Sequence, residues 1–156
     1  MGTTAVFGGT FNPIHCGHLV AAEQILHRCG LDRILIVPAS QPPHKEAAPL
    51  APGFDRLVMA GLACASNPRF IVCDTEIRRG GISYTVDTVK ELEKAYSSPL
   101  ALIVGSDMVP ELSTWKDAEE LFDRCRLIVA ARPGYDVKKI MRYQMAVMTE
   151  GGAASA

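Results

Sequence analysis

The chain has 156 residues, long enough for one domain with its own core. With 48% apolar and 21% charged residues it has an ordinary globular composition, and its formal net charge of −1 offers no general attraction to nucleic acid or an anionic membrane. No run approaches the roughly 18 apolar residues of a membrane span, and no basic segment leads into an apolar one at the N-terminus, so a cytoplasmic protein is expected.

In chain order, Thr4 to Phe7 reads as a short apolar strand that runs into Gly8 and Gly9, a proline-containing turn and then His15-Cys16-Gly17-His18. The glycines predict a sharp turn where a ligand can approach backbone N–H groups. Apolar residues then recur at helical spacing from about Gly17 to Arg28, with Leu19, Ala22, Leu26 and Cys29 on one face and Gly30 as a C-terminal cap. The start of that helix would present unpaired amides and the positive end of its dipole, which suits phosphate. Two imidazoles three residues apart fall on one side of its first turn, and each can donate to a phosphoryl oxygen. The pieces together read as a nucleotide triphosphate site, although neither the dinucleotide GxGxxG pattern nor a GxxxxGK loop is present.

Arg33 to Val37 is a nearly continuous apolar run, as expected of a parallel strand covered on both faces. Pro38 to Pro52 holds five prolines and predicts a loop that presents His44 and Lys45 beyond the strand end, where open α/β sheets bind ligands. A helix over about 55–65 looks purely structural; Arg69 to Cys73 is a third strand; Glu76 to Gly81 reads as a turn without chemistry. By spacing alone, Ser83 or Thr85 reads as the cap of a helix carrying Val86, Val89, Leu92 and Tyr96. Pro99 to Val104 is a fourth buried strand, and Gly105 and Asp107 beyond it suit close backbone approach and ribose hydroxyls; a turn aspartate is the plainer alternative. Trp115, the only tryptophan, lies among polar neighbours between two helical segments, which favours a stacking platform over a core position. Residues 117–125 continue as helix, with Leu121 and Phe122 inward. Arg126 to Ala131 is a fifth strand, and Arg132 follows as either a strand-end cation or a surface arginine. Five cysteines, Cys16, Cys29, Cys64, Cys73 and Cys125, are odd in number and include no CxxC pair, so reduced and mostly buried thiols are expected.

Strand and helix alternation predicts an α/β fold: a Rossmann-like, doubly wound parallel sheet of about five strands with helices on both faces. GGTFNPIHCGH resembles the GGTFxPxHxGH signature of the HxGH nucleotidyltransferases. PASQPPHK, ISYTVDT, and GSDMVPELSTWKDAEEL followed by ARPGY resemble the nicotinate-nucleotide adenylyltransferases within them. The resemblance runs from about Thr4 to Tyr135. It implies adenylyl transfer from ATP to nicotinate mononucleotide, with magnesium carried by the ATP and no protein-bound metal. It further implies catalytic roles for His15, His18 and Lys45, and ATP contacts from Gly8, Gly9, Thr10, Phe11, His15, His18, Gly105 and Asp107. The mononucleotide would meet His44, Lys45, Tyr84, Thr85, Trp115, Lys116 and Arg132, with Thr85 beside the pyridine carboxylate and Trp115 stacked on the ring.

The expected organisation is a nucleotidyltransferase domain over 1–136 and an atypical tail over 137–156, partly helical or disordered, with Met141, Met145 and Met148 on one helical stripe. The family's ISSTxIR region has no counterpart. That predicts a weakened triphosphate site and self-association as a homo-oligomer through uncovered apolar surface. Competing readings are an inactive or nucleotide-binding relative, phosphopantetheine adenylyltransferase, and a thiol or metal enzyme built on His15, Cys16 and His18.

Overall fold

The computed structural model describes residues 2–44, 49–131, 145–149 and 152–155, the last two stretches as backbone. Its elements are β1 (Thr4–Gly9), α1 (Cys16–Arg28), β2 (Arg33–Pro38), α2 (Gly53–Cys64), β3 (Phe70–Val72), α3 (Thr75–Arg79), α4 (Thr85–Tyr96), β4 (Leu100–Gly105), a 3-10 helix (Ser106–Thr114), α5 (Ala118–Arg124), β5 (Arg126–Ala130), β6 (Met145–Thr149) and β7 (Gly152–Ser155). The strands form one sheet in the order β3-β2-β1-β4-β5-β6-β7. All neighbours are parallel except β6 and β7.

Alternation along each strand explains why helices cover both faces. Ala5, Ile34, Ile36, Ala101, Ile103 and Ile128 turn to one side and pack on Ala22, Ile25 and Leu26 of α1 and Ala60 and Cys64 of α2. Val6, Leu35, Val37, Leu102, Val104, Leu127 and Val129 turn to the other, against Val86, Val89 and Leu92 of α4 and Leu121 of α5. Each large aliphatic side chain buried this way contributes about 1.5–3 kcal/mol; an aspartate in place of Leu35, 0% exposed between two covered faces, would break the sheet at its centre.

Helix α1 ends as expected. Gly30 takes φ +59°, its N–H donates to His27 O and the Leu31 N–H donates to Leu26 O, the two bonds that close a left-handed helix terminus.

The five expected strands are all present. Beyond them the sheet continues: residues 145–149 pair with β5, and residues 152–155 pair back on them. The helical stripe expected through Met145 and Met148 is therefore a strand, while Met141 lies outside the described residues. Glu76 to Arg79, expected as a turn, belongs to the short helix α3. No described helix is long and apolar enough to cross a membrane.

Candidate active site

Strand β1 lies at the centre of the order 3-2-1-4-5, so the chain leaves it toward opposite sides of the sheet on its two flanks. Such a reversal opens a crevice at the carboxyl ends of the strands. The register shows where. Pairing of β1 with β2 runs to Gly9–Pro38, and that of β4 with β5 to Gly105–Ala130. Pairing of β1 with β4 stops at Phe7–Ile103, two residues before either strand ends. Gly8 and Gly9 thus face Val104 and Gly105 across strands that have parted.

The glycines do not make the turn themselves. Both lie within β1, and the left-handed residue is Phe11, at φ +48°. Its side chain, 3% exposed, folds back so that the ring sits 3.2 Å from where a Cβ on Gly9 would stand. Gly9 eases that close approach, and it does so by lacking a Cβ, not by a special backbone angle. Asn12 fastens the same turn, donating from Nδ2 to Pro49 O at 3.2 Å and accepting at Oδ1 from Ala51 N at 3.0 Å.

The two imidazoles complete the turn. His15 is the N-cap of α1: its Nδ1 accepts from Gly17 N–H at 3.1 Å, and its own N–H donates to His18 Nδ1 at 3.1 Å. This reciprocal arrangement is a capping box built from two histidines. Because each Nδ1 accepts a backbone hydrogen, the neutral rings carry their proton on Nε2, and each presents a donor on its far edge. The rings stack with centroids 3.9 Å apart and planes 28° from parallel, and Phe7 and Phe11 meet His18 edge-on at 6.3 and 5.1 Å. First-turn amides that were expected to be unpaired are partly engaged: Gly17 N–H by His15, and His18 and Leu19 N–H by His15 O. The imidazole edges, reinforced by the helix dipole, therefore become the projecting donors. Cys16 between them is exposed.

A second group lies at the start of α4. Lys116 Nζ stands 4.7 Å from the Tyr84 ring centroid and donates to Asp87 Oδ2 at 2.9 Å, which together with neighbouring acids raises its pKa. Tyr84 and Trp115, both partly buried, pack against the same apolar cluster that α4 and β4 build. Tyr84 is the N-cap of α4, Thr85 its first residue, and no side chain caps the helix, so the capping expected of Ser83 or Thr85 does not occur. Ser83 instead accepts from Ser40 N–H at 2.9 Å.

Gly105 and Asp107 stand where expected, at the end of β4 and the start of the 3-10 helix, both half-buried. Gly105 has an ordinary φ of −71°. His44 is exposed in the loop after β2, while Lys45 and Arg132 lie outside the described residues. Among the described residues no group of three carboxylate, imidazole or thiol side chains could hold a metal ion.

Two buried polar residues escaped the sequence reading. Arg56 of α2, read as part of a purely structural helix, is 0% exposed and donates to the carbonyls of Thr10, Ala51 and Ser40. Its signal was helical period: Arg56, Ala60 and Cys64 share the inner face, while Phe54, Val58 and Leu62 are exposed on another. Glu76, 6% exposed, accepts from Thr88 Oγ1 at 2.6 Å. Burial raises its pKa against the opposing pull of Thr88, Ser83 and Arg79.

Comparison with known proteins places these features in a family. Residues 6–152 match the family described as Cytidylyltransferase-like. A protein of Syntrophotalea carbinolica named "Probable nicotinate-nucleotide adenylyltransferase" is 46% identical over 146 residues, covering 93% of this chain and 67% of that protein. One of the same name from Moorella thermoacetica is 41% identical over 152 residues, covering 96% and 70%. The chain thus spans about two thirds of the length of these relatives. Among solved structures, Plasmodium falciparum nicotinic acid mononucleotide adenylyltransferase complexed with NaAD superposes with a TM-score of 0.77 at 17% identity, covering 96% of this chain and 77% of that one. At that identity the likeness is one of fold.

Proposed function

This chain belongs to the nicotinate-nucleotide adenylyltransferases of the cytidylyltransferase-like family, and on that premise we propose that it transfers the adenylyl group of ATP to nicotinate mononucleotide, giving deamido-NAD and pyrophosphate. The observation that carries the reading is the crevice where β1 and β4 part, with two stacked histidines of fixed tautomer at its edge.

The reaction is attack of the mononucleotide phosphate on the α-phosphorus of ATP. That nucleophile is already ionised at neutral pH, so the chain needs neither a general base nor a covalent intermediate. Its task is to hold two phosphates in line and to stabilise charge that develops on the α-phosphoryl and leaving oxygens. In this proposal the Nε2–H groups of His15 and His18 donate to those oxygens, and the backbone of Gly9, Thr10 and Phe11 lines the phosphate path from Gly8 onward. Gly105 and Asp107, across the crevice, take the adenosine ribose. Lys45 holds the leaving pyrophosphate as a mobile point charge. Magnesium bound to the ATP phosphates would shield their charge.

The mononucleotide would lie toward the start of α4. The indole of Trp115 covers the pyridine ring, Tyr84 and Lys116 form its flank, and Thr85 at the positive end of α4 receives the carboxylate. Such a subsite favours nicotinate over nicotinamide, which carries no charge for the helix end to hold. His44 and Arg132 meet the mononucleotide phosphate.

The test is pyrophosphate release with ATP and one of three acceptors. Turnover with nicotinate mononucleotide, and none with phosphopantetheine, supports the proposal. Binding of the mononucleotide without turnover would refute it and leave a nucleotide-binding relative.

A further inference from the structure

Arg56 stands out because its guanidinium is fully buried and gives hydrogens to three backbone carbonyls. Nη1 donates to Thr10 O at 2.7 Å, Nε to Ala51 O at 2.8 Å and Nη2 to Ser40 O at 3.0 Å. Those carbonyls belong to three separate segments: the turn after β1, the loop after β2, and the approach to α2. A planar fork with donors fixed in direction can hold three such segments at set separations; an ammonium on a flexible stem cannot.

From Ser40 the connection continues. Its N–H donates to Ser83 Oγ, and the Ser83 N–H donates to Gln41 O at 2.8 Å, beside the single bridge between Gln41 and Ile82. The Ser83 side chain also lies near the buried carboxyl of Glu76, which accepts from Thr88 Oγ1 of α4. One buried polar chain therefore runs from the turn that carries Thr10 and Phe11 to the segment that carries Tyr84 and Thr85.

We propose that Arg56 is a positioning residue for adenylyl transfer: held by none of the reacting groups, it sets the Thr10–Phe11 turn at the height at which His15 and His18 meet phosphoryl oxygens, and through Ser40 and Ser83 it sets the opposite, mononucleotide-bearing segment to the same frame. The inference rests on the reading of the turn as a phosphate grip. A displacement of about 1 Å in such a frame is enough to lower turnover about a hundredfold while substrate affinities change much less.

The experiment compares the wild-type chain with Arg56→Lys, which keeps the buried charge and loses the fork, in three measurements: kcat and KM for both substrates, amide hydrogen exchange over residues 9–12, and affinity for inorganic triphosphate. The expected result for Arg56→Lys is a kcat lower by about 10–100-fold, KM values within about threefold, faster exchange at residues 9–12 with α1 and the central strands still protected, and weaker triphosphate binding. Arg56→Ala, with the guanidinium-shaped space empty, should regain turnover on addition of millimolar methylguanidine. A merely structural arginine would lower thermal stability and leave kcat per folded molecule and the exchange at 9–12 unchanged, and that outcome overturns the proposal. Should the wild-type chain release no pyrophosphate, the triphosphate affinity and exchange measurements still decide the role of Arg56, and the proposed reaction alone falls.

Discussion

Removing His18 separates what the ring does for the fold from what it does for chemistry. In His18→Ala the N–H of His15 loses its acceptor and the Phe7 and Phe11 rings lose an edge contact. A lost cap bond costs about 1 kcal/mol, and each aromatic contact about 0.5–1.5 kcal/mol, so the fold should weaken by about 2–4 kcal/mol. For a chain of this size that lowers Tm by about 4–16 °C. The catalytic loss is of a different kind: one donor to charge that develops in the transition state is worth about 100–1,000-fold in kcat, or about 2.7–4 kcal/mol. His18→Asn divides the two, since its side-chain oxygen can accept the His15 N–H near the position of Nδ1 while nothing reaches the place of Nε2. Thermal melting and pyrophosphate release at 25 °C, well below the transition, make the comparison. Asparagine is expected to recover most of the lost Tm and none of the lost kcat. If His18→Asn turned over like the wild type, or if kcat in the two variants followed Tm, the assignment of Nε2 as a phosphoryl donor would be wrong.

Three further outcomes are expected. Trp115 is the sole tryptophan, so nicotinate mononucleotide should quench its fluorescence, and Trp115→Ala should raise KM for the mononucleotide about tenfold or more with little change in KM for ATP; an unaltered emission spectrum at saturation would contradict stacking. Glu76 has a folded pKa raised mainly by burial, so the folded state binds a proton more tightly than the unfolded chain; this contribution is complete below the unfolded value and is lost as pH rises through the folded one. The Tm difference between Glu76→Gln and wild type should therefore grow in favour of glutamine as pH rises from about 4 to 7, and a difference independent of pH would refute the burial argument. Among the cysteines, Cys16 is exposed whereas burial pushes the Cys125 thiol up to about 12, so iodoacetamide at pH 8 should label Cys16 first, abolish turnover, and be slowed by ATP; inactivation that ATP leaves untouched would argue against phosphates binding beside it.

The layered architecture could be read from the chain because its signals are local. Ile34 to Val37 and Leu100 to Val104 are apolar on consecutive positions, as a strand covered on both sides requires, and the helices between them carry their apolar residues at helical period. The histidine turn was equally visible, although the glycines drew attention from Phe11, whose left-handed backbone no apolar pattern announces. What could not be read were contacts between distant segments. Arg56 meets Thr10 across 46 positions and Ser40 meets Ser83 across 43, and neither residue type nor spacing reports such a pairing. Ser83 looked like a helix cap because serine before a helix usually is one; its hydroxyl was taken by a longer-range bond. The methionines at 145 and 148 were read at helical spacing, and a parallel neighbour, β5, overrode that weak local preference.

The ring of Phe11 occupying the space beside Gly9 has a consequence for how this chain can vary. A methyl group at position 9 would stand 3.2 Å from the benzyl group at position 11, tighter than an ordinary contact, so the ring would have to yield by a few tenths of an ångström to admit it. A change at the first position is therefore felt at the second, and through it by the imidazole of His18 that rests on the aromatic edge.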